Sequence, residues 1–93
     1  MPDAMRLMGR HRLFELANSE GDAVAAAVSA LLLELEAADW AEPADALAAY
    51  PQAKLIGCRL RIPLLDGYLV MLALNCVAGI VLVELADQVG GRA

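Results

Sequence analysis

Three cations, Lys54, Arg59 and Arg61, lie close together in the second half of this chain, and two more, Arg10 and Arg12, stand near its start. Arg59 and Arg61 are two residues apart, so in a strand both project from one face. Such a pair, with Lys54 nearby, can contact a phosphate backbone. It can equally be the solvated face of an edge strand that discourages aggregation. Arg10 and Arg12 extend the patch only if the helix carrying them lies beside that strand. Glu84 interrupts an otherwise apolar run. It can be a solvent-facing edge carboxylate, the cross-strand partner of Arg59 or Arg61, or in principle a general base. His11 is the only histidine and falls in a helical stretch, where an exposed imidazole is ordinarily a surface residue. Cys58 and Cys76 show neither CxxC nor zinc spacing and read as reduced thiols of a cytoplasmic protein, with no metal or cofactor expected. Residue type and spacing alone assign no catalytic group.

Composition limits what these residues can do. The chain has 93 residues, the size of one small domain. Its net charge of −5 runs against a nucleic-acid enzyme, although a local basic patch is compatible with an acidic total. An apolar content of 60% exceeds that of an ordinary soluble domain, so a partner or a second copy is expected to cover part of the surface. No signal peptide is expected, because the start has no apolar run followed by a small-residue cleavage site. The uncharged stretch from Tyr68 to Val83 is too short for a membrane span, and Asn75 and Gly79 interrupt it.

The elements that position these groups follow from periodicity. Residues 1–4 read as a frayed lead-in. A first helix is expected over Arg10–Asn18, with Leu13, Leu16 and Ala17 on one face. After the turn chemistry of Asn18–Gly21, Asp22 can cap a second helix running to about Ala38, with Val24, Val28, Leu31, Leu32 and Leu35 forming its stripe. Pro43 can begin a short third helix, and Pro51 should stop it at Tyr50. Trp40 and Tyr50, two of only four aromatic residues, should pin that helix to the core with their polar tips outward. Beyond Pro51 the pattern becomes short and strand-like: Ala53–Ile56, Arg59–Leu64, Tyr68–Asn75 and Ile80–Leu85. Pro63 implies an edge or a bulge, and Asp66-Gly67 a hairpin turn. The expected fold is α+β, with two helices and a short third packed on an antiparallel sheet of three to four strands.

The same residues carry a resemblance. Ala38-Asp39-Trp40, Pro43-Ala44-Asp45, Ala48-Ala49-Tyr50-Pro51, Gly57, Arg59, Tyr68, Asn75 and Gly79-Ile80-Val81 resemble the HigB family, a branch of the RelE-like toxins of bacterial toxin–antitoxin operons. Met5-Arg6 and Asp22-Ala23 fit as well, and the likeness extends from about Met5 to Leu85. It implies a RelE-like fold and a ribosome-dependent endoribonuclease that cuts messenger RNA. It also implies an antitoxin partner of the helix-turn-helix type. Cleavage of that kind has a ribose 2′-OH attack the neighbouring phosphate, with cations stabilising the developing charge and an acid–base pair moving protons. In the family those groups are strand arginines and a closing histidine-x-x-tyrosine. Here Leu69 and Glu84 stand where arginine is usual, and Val89 and Arg92 where the histidine and tyrosine would fall.

The resemblance therefore implies a toxin-like protein with a weakened site, acting on mRNA at the ribosome if active. The alternative is an inactive relative that binds protein, and a third reading is an unrelated α+β oligomer. Leu69, Met71 and Ala73, on the second face of the Tyr68–Asn75 strand, suit a protein partner, either an antitoxin segment or a second copy. Cover by the chain's own short helix or tail is the other option.

Overall fold

A computed structural model of the chain describes residues 5–65 and 67–88. The expected lead-in over residues 1–4, Asp66 of the expected turn, and Val89 and Arg92 lie outside them. The elements run β1 (Arg6–Met8), α1 (Arg10–Glu20), α2 (Asp22–Glu36), α3 (Pro43–Ala49), β2 (Lys54–Ile56), β3 (Arg59–Leu65), β4 (Tyr68–Asn75) and β5 (Ile80–Gln88). The fold is α+β, three helices on one sheet of order β1-β5-β4-β3-β2. Strands β2 to β5 form the expected antiparallel meander. To this meander β1 adds a short fifth strand, parallel to β5, with Arg6 opposite Ile80 and Met8 opposite Leu82. Three residues show no readable periodicity, so this strand is fixed by tertiary pairing rather than by local pattern.

The core lies on the helical side. Leu13 and Leu16 of α1 and Val24, Val28, Leu31 and Leu35 of α2 are buried against Leu60 and Ile62 of β3, Val70, Leu72 and Leu74 of β4, and Val81 and Val83 of β5. Each strand contributes alternate residues, as the two-residue period requires. Asp22 is the first residue of α2 and not its cap. Gly21 occupies the cap position without a side-chain hydrogen bond, so Asp22 acts through the helix dipole instead.

The Ala38–Tyr50 segment joins the two halves. The Met5 N–H donates to the Ala38 carbonyl at 2.8 Å, and the Trp40 N–H to the Met5 sulfur at 3.3 Å, which ties the approach to β1 to the end of α2. Helix α3 begins at Pro43, where the Asp45 carboxylate accepts from the N–H groups of Ala41 and Glu42 at 3.1 and 3.3 Å. It ends at Tyr50, before Pro51. Trp40 and Tyr50 meet edge to face with centroids 6.3 Å apart, and the Tyr50 hydroxyl donates to Glu34 of α2 at 2.7 Å. Ala46 of α3 is fully buried in the same core, so the short helix sits on the helical side and does not cover the second face of β4.

At Gly9, between β1 and α1, the chain turns with φ of 78° beside β5. A Cβ there would stand 2.5 Å from the Val83 carbonyl oxygen, so both conformation and space require glycine. Pro63 lies beyond the reach of β2, which pairs only with Arg59–Arg61, so its missing donor leaves no ladder bond unmade. A register irregularity follows it, between Pro63 and Leu65.

Two measurements test this packing. Leu72→Ala should cost about 2–5 kcal/mol in denaturant unfolding. Leu33→Ala, at a side chain 70% exposed on α2, should stay within about 0.5 kcal/mol of the parent. The second concerns pH. Burial and the Glu34 hydrogen bond raise the Tyr50 pKa, and the hydrogen bond from the Tyr68 hydroxyl to Glu20, at 2.8 Å, together with burial, raises that of Tyr68. The folded state therefore holds these protons more tightly than the unfolded chain, whose tyrosines ionise near pH ~10. Their stabilisation is full below that pH and is lost as pH rises towards the raised folded values. Melting temperature should fall above pH ~10, and Tyr50→Phe should flatten that decline.

Candidate functional site

The sheet face turned away from the helices collects most of the residues singled out by sequence. Along β4 it presents Leu69, Met71 and Ala73, each half-buried. Beside them β5 presents Ile80, Leu82 and Leu85, and β1 presents Met8, of which Leu82, Leu85 and Met8 are exposed. Antiparallel sheets with one solvated face usually alternate apolar inward and polar outward. This one stays apolar outward along its centre. No described element lies over it, and the tail that the sequence offered as cover falls outside the described residues.

Charge is confined to the flanks of that stripe. On the β2–β3 flank, Arg59 and Arg61 project outward beside Ala73 and Met71, and Lys54 pairs directly with Arg61. On the β5 flank stand Glu84 and Asp87. Glu84 is the extra residue of a bulge, since Val83 faces Leu72 and Leu85 faces Met71. The bulge puts Glu84 and Leu85 together on the outer face. From there Glu84 reaches across β4 to Arg59, whose Nε donates to Oε1 at 2.9 Å and whose second guanidinium nitrogen donates to Oε2 at 3.4 Å. The bridge passes Ala73, the residue paired with Arg59, whose single methyl leaves room for it. Of the roles open to Glu84 in the sequence, the structure supplies the cross-sheet partner.

Arg61 is left differently. Among the described residues it has no acidic partner, and its buried Nε makes no hydrogen bond. It stands opposite Lys54, and like charges directly opposed across a ladder repel. An unsatisfied buried donor costs about 1–3 kcal/mol. The positive charge on this flank is thus concentrated at Arg61 and Lys54, while that of Arg59 is neutralised.

The N-terminal cations divide. Arg10 bonds the Leu7 carbonyl at 3.4 Å and stands 3.7 Å from Glu36 of α2, so it belongs to the helical side and not to the patch. Arg12 lies at the β5 margin of the sheet, separated from Arg59 and Arg61 by β4 and β5. With His11 it lines a depression of about 420 Å³ that also includes Met8, Leu82 and Glu84. This brings His11 to the margin of the sheet face, which helical periodicity could not show because it depends on β1 and the turn at Gly9. A larger hollow, about 550 Å³, lies at the β4–β5 turn between Trp40, Arg6 and Cys76. Burial raises the Cys76 thiol pKa, which suppresses its thiolate there. Among the described residues no group of three or more His, Cys, Asp or Glu could hold a metal ion, and no helix is long and apolar enough to cross a membrane.

The Arg59–Glu84 pair is exposed enough that its stability value is small, so Glu84→Gln should change unfolding free energy by no more than about 1 kcal/mol. A larger loss in denaturant titration would mean that the pair holds the bulge. Three comparisons with known proteins place no other chain beside this one: no family model, no curated protein and no solved structure matches it.

Proposed function

We propose that this chain is a HigB-like protein of a toxin–antitoxin module, a cytoplasmic, ribosome-dependent mRNA endoribonuclease whose cleavage is weak. Its antitoxin partner would be of the helix-turn-helix type that the resemblance implies. One observation carries the weakening: Arg59, the strand arginine of the resembling motif, is neutralised by Glu84. A phosphate approaching that face meets a carboxylate where a cation would stabilise the developing charge, and loss of one such stabiliser commonly costs about a hundredfold in rate. Arg61 and Lys54 are then the residues left to contact the RNA backbone. His11, at the margin of the face, is the nearest candidate for proton transfer and stands on the same depression as Glu84.

The apolar centre of the face favours a second reading, an inactive relative whose sheet surface binds protein. Phosphate contacts demand cations, whereas Leu69, Met71, Leu82 and Leu85 form a surface suited to side chains of another protein.

Induction of the chain without any antitoxin, followed by mapping of transcript 5′ ends, decides between them. Weak growth inhibition with few new ends inside translated codons is the expected outcome, and Arg61→Ala should reduce it further. Glu84→Arg, which frees Arg59 and adds a cation, should increase cleavage. Strong arrest by the parent chain would overturn the weakened site, and no ends in either the parent or Glu84→Arg would leave the protein-binding reading.

A further inference from the structure

We infer that the open sheet face is the interface of a homodimer, with two copies stacked face to face about a twofold axis running along β4. The inference rests on reading this face as a protein surface, and it names the occupant from the layout of its charges. Across the face run a basic flank on β2 and β3 (Lys54, Arg59, Arg61), an uncharged centre on β4 (Leu69, Met71, Ala73), and an acidic flank on β5 (Glu84, Asp87). A twofold along β4 lays β5 of one copy over β3 of the other. The alternative in-plane axis, perpendicular to the strands, would stack basic on basic and acidic on acidic.

Register adds a second condition that the same axis meets. Rotation about β4 preserves the level along the strands, and Arg61 pairs with Met71 at the level where the bulge presents Glu84 and Leu85. Arg61 of each copy therefore stands over Glu84 of the other. Arg61 is the guanidinium without an acidic partner among the described residues, with an unbonded buried Nε and Lys54 directly opposite it. Swinging outward to a carboxylate across the interface would relieve both conditions, and Glu84 could then bridge Arg59 of its own copy and Arg61 of the other. Met8, exposed on β1, falls over Ile56, exposed on β2, and Asp87 falls over the level of Pro63. Arg6 lies over the Gly57–Cys58 turn, away from Lys54. Sheets stacked in this way keep a separation of roughly 10 Å and an angle of about 30°, which suits the medium-sized side chains of the β4 stripe.

The test is sedimentation or light scattering of the purified chain over a range of concentrations, without RNA. The parent should form a dimer, and Met71→Glu should weaken it about thirtyfold or more. Leu33→Glu, on the far side of the molecule, should leave it unchanged. Arg61→Glu and Glu84→Arg should each weaken association of the single variant, because each places like charges across the interface. An equimolar mixture of those two variants should recover a heterodimer, since both cross-interface contacts then become Glu–Arg pairs. Circular dichroism of each variant separates loss of association from loss of fold. A parent that stays monomeric overturns the inference. So does a dimer indifferent to Met71→Glu, or one whose two charge variants fail to recover on mixing. The dimer covers Arg61 and Lys54, so RNA contact through them belongs to the monomer. The induction assay reads cleavage and the association assay reads the dimer, and each can fail without the other.

Discussion

Two helices can cover one face of a five-stranded sheet and not both. Five strands at about 4.8 Å spacing make a surface roughly 20 Å across, and two helices of about 10 Å diameter span that width side by side. Here α1 and α2 do so, and α3 fills the remaining edge near β2. The valines and leucines of alternate strand positions disappear beneath them. With 60% of its residues apolar, the chain has more such side chains than one layer can bury, and the surplus emerges on the other side of the sheet. The character of the open face thus follows from the geometry of its cover.

The bulge on β5 adds to the charge of that face. By strict alternation Glu84 already faces outward with Ile80 and Leu82, while Leu85 and Asp87 would turn inward. The extra residue brings those two to the outer face as well. The Glu84 carboxylate lies within reach of β3 over Ala73. Small local irregularities of this kind re-aim side chains at functional surfaces. The Glu84 bridge separates two arginines of one strand face, one bridged within the chain and one without an acidic partner among the described residues. Sequence alone gives them the same environment.

Periodicity revealed the meander, the two long helices and the proline-bounded third helix, because each depends on residues near one another in sequence. The aromatic pins at Trp40 and Tyr50 were legible for the same reason. Strand β1 was not, since three residues carry no period and its partner lies at the other end of the described chain. The position of His11 depends on β1 and was hidden with it. The commitment of Arg10 to Glu36 and the pairing of Arg59 with Glu84 depend on which helix crosses which strand. Spacing left Glu84 three roles, and the register that brings it within reach of Arg59 across β4 selects among them. Likewise the apolar second face of β4 was visible in the alternation, while its lack of cover among the described residues required the placement of α3.

The parallel seam between β1 and β5 has a consequence for how the molecule comes into being. Strand β1 is synthesised before the described helices, and β5, its partner among the described residues, after all of them. On a growing chain, Leu7 and the apolar edge of β4 both wait for Ile80–Gln88 to close the sheet. Helices α1 and α2 can pair early through local contacts, but the layer they shelter is completed last. The nascent protein therefore passes through a stage in which two unpaired edges and an apolar sheet are exposed together, and a chaperone would have most to recognise there.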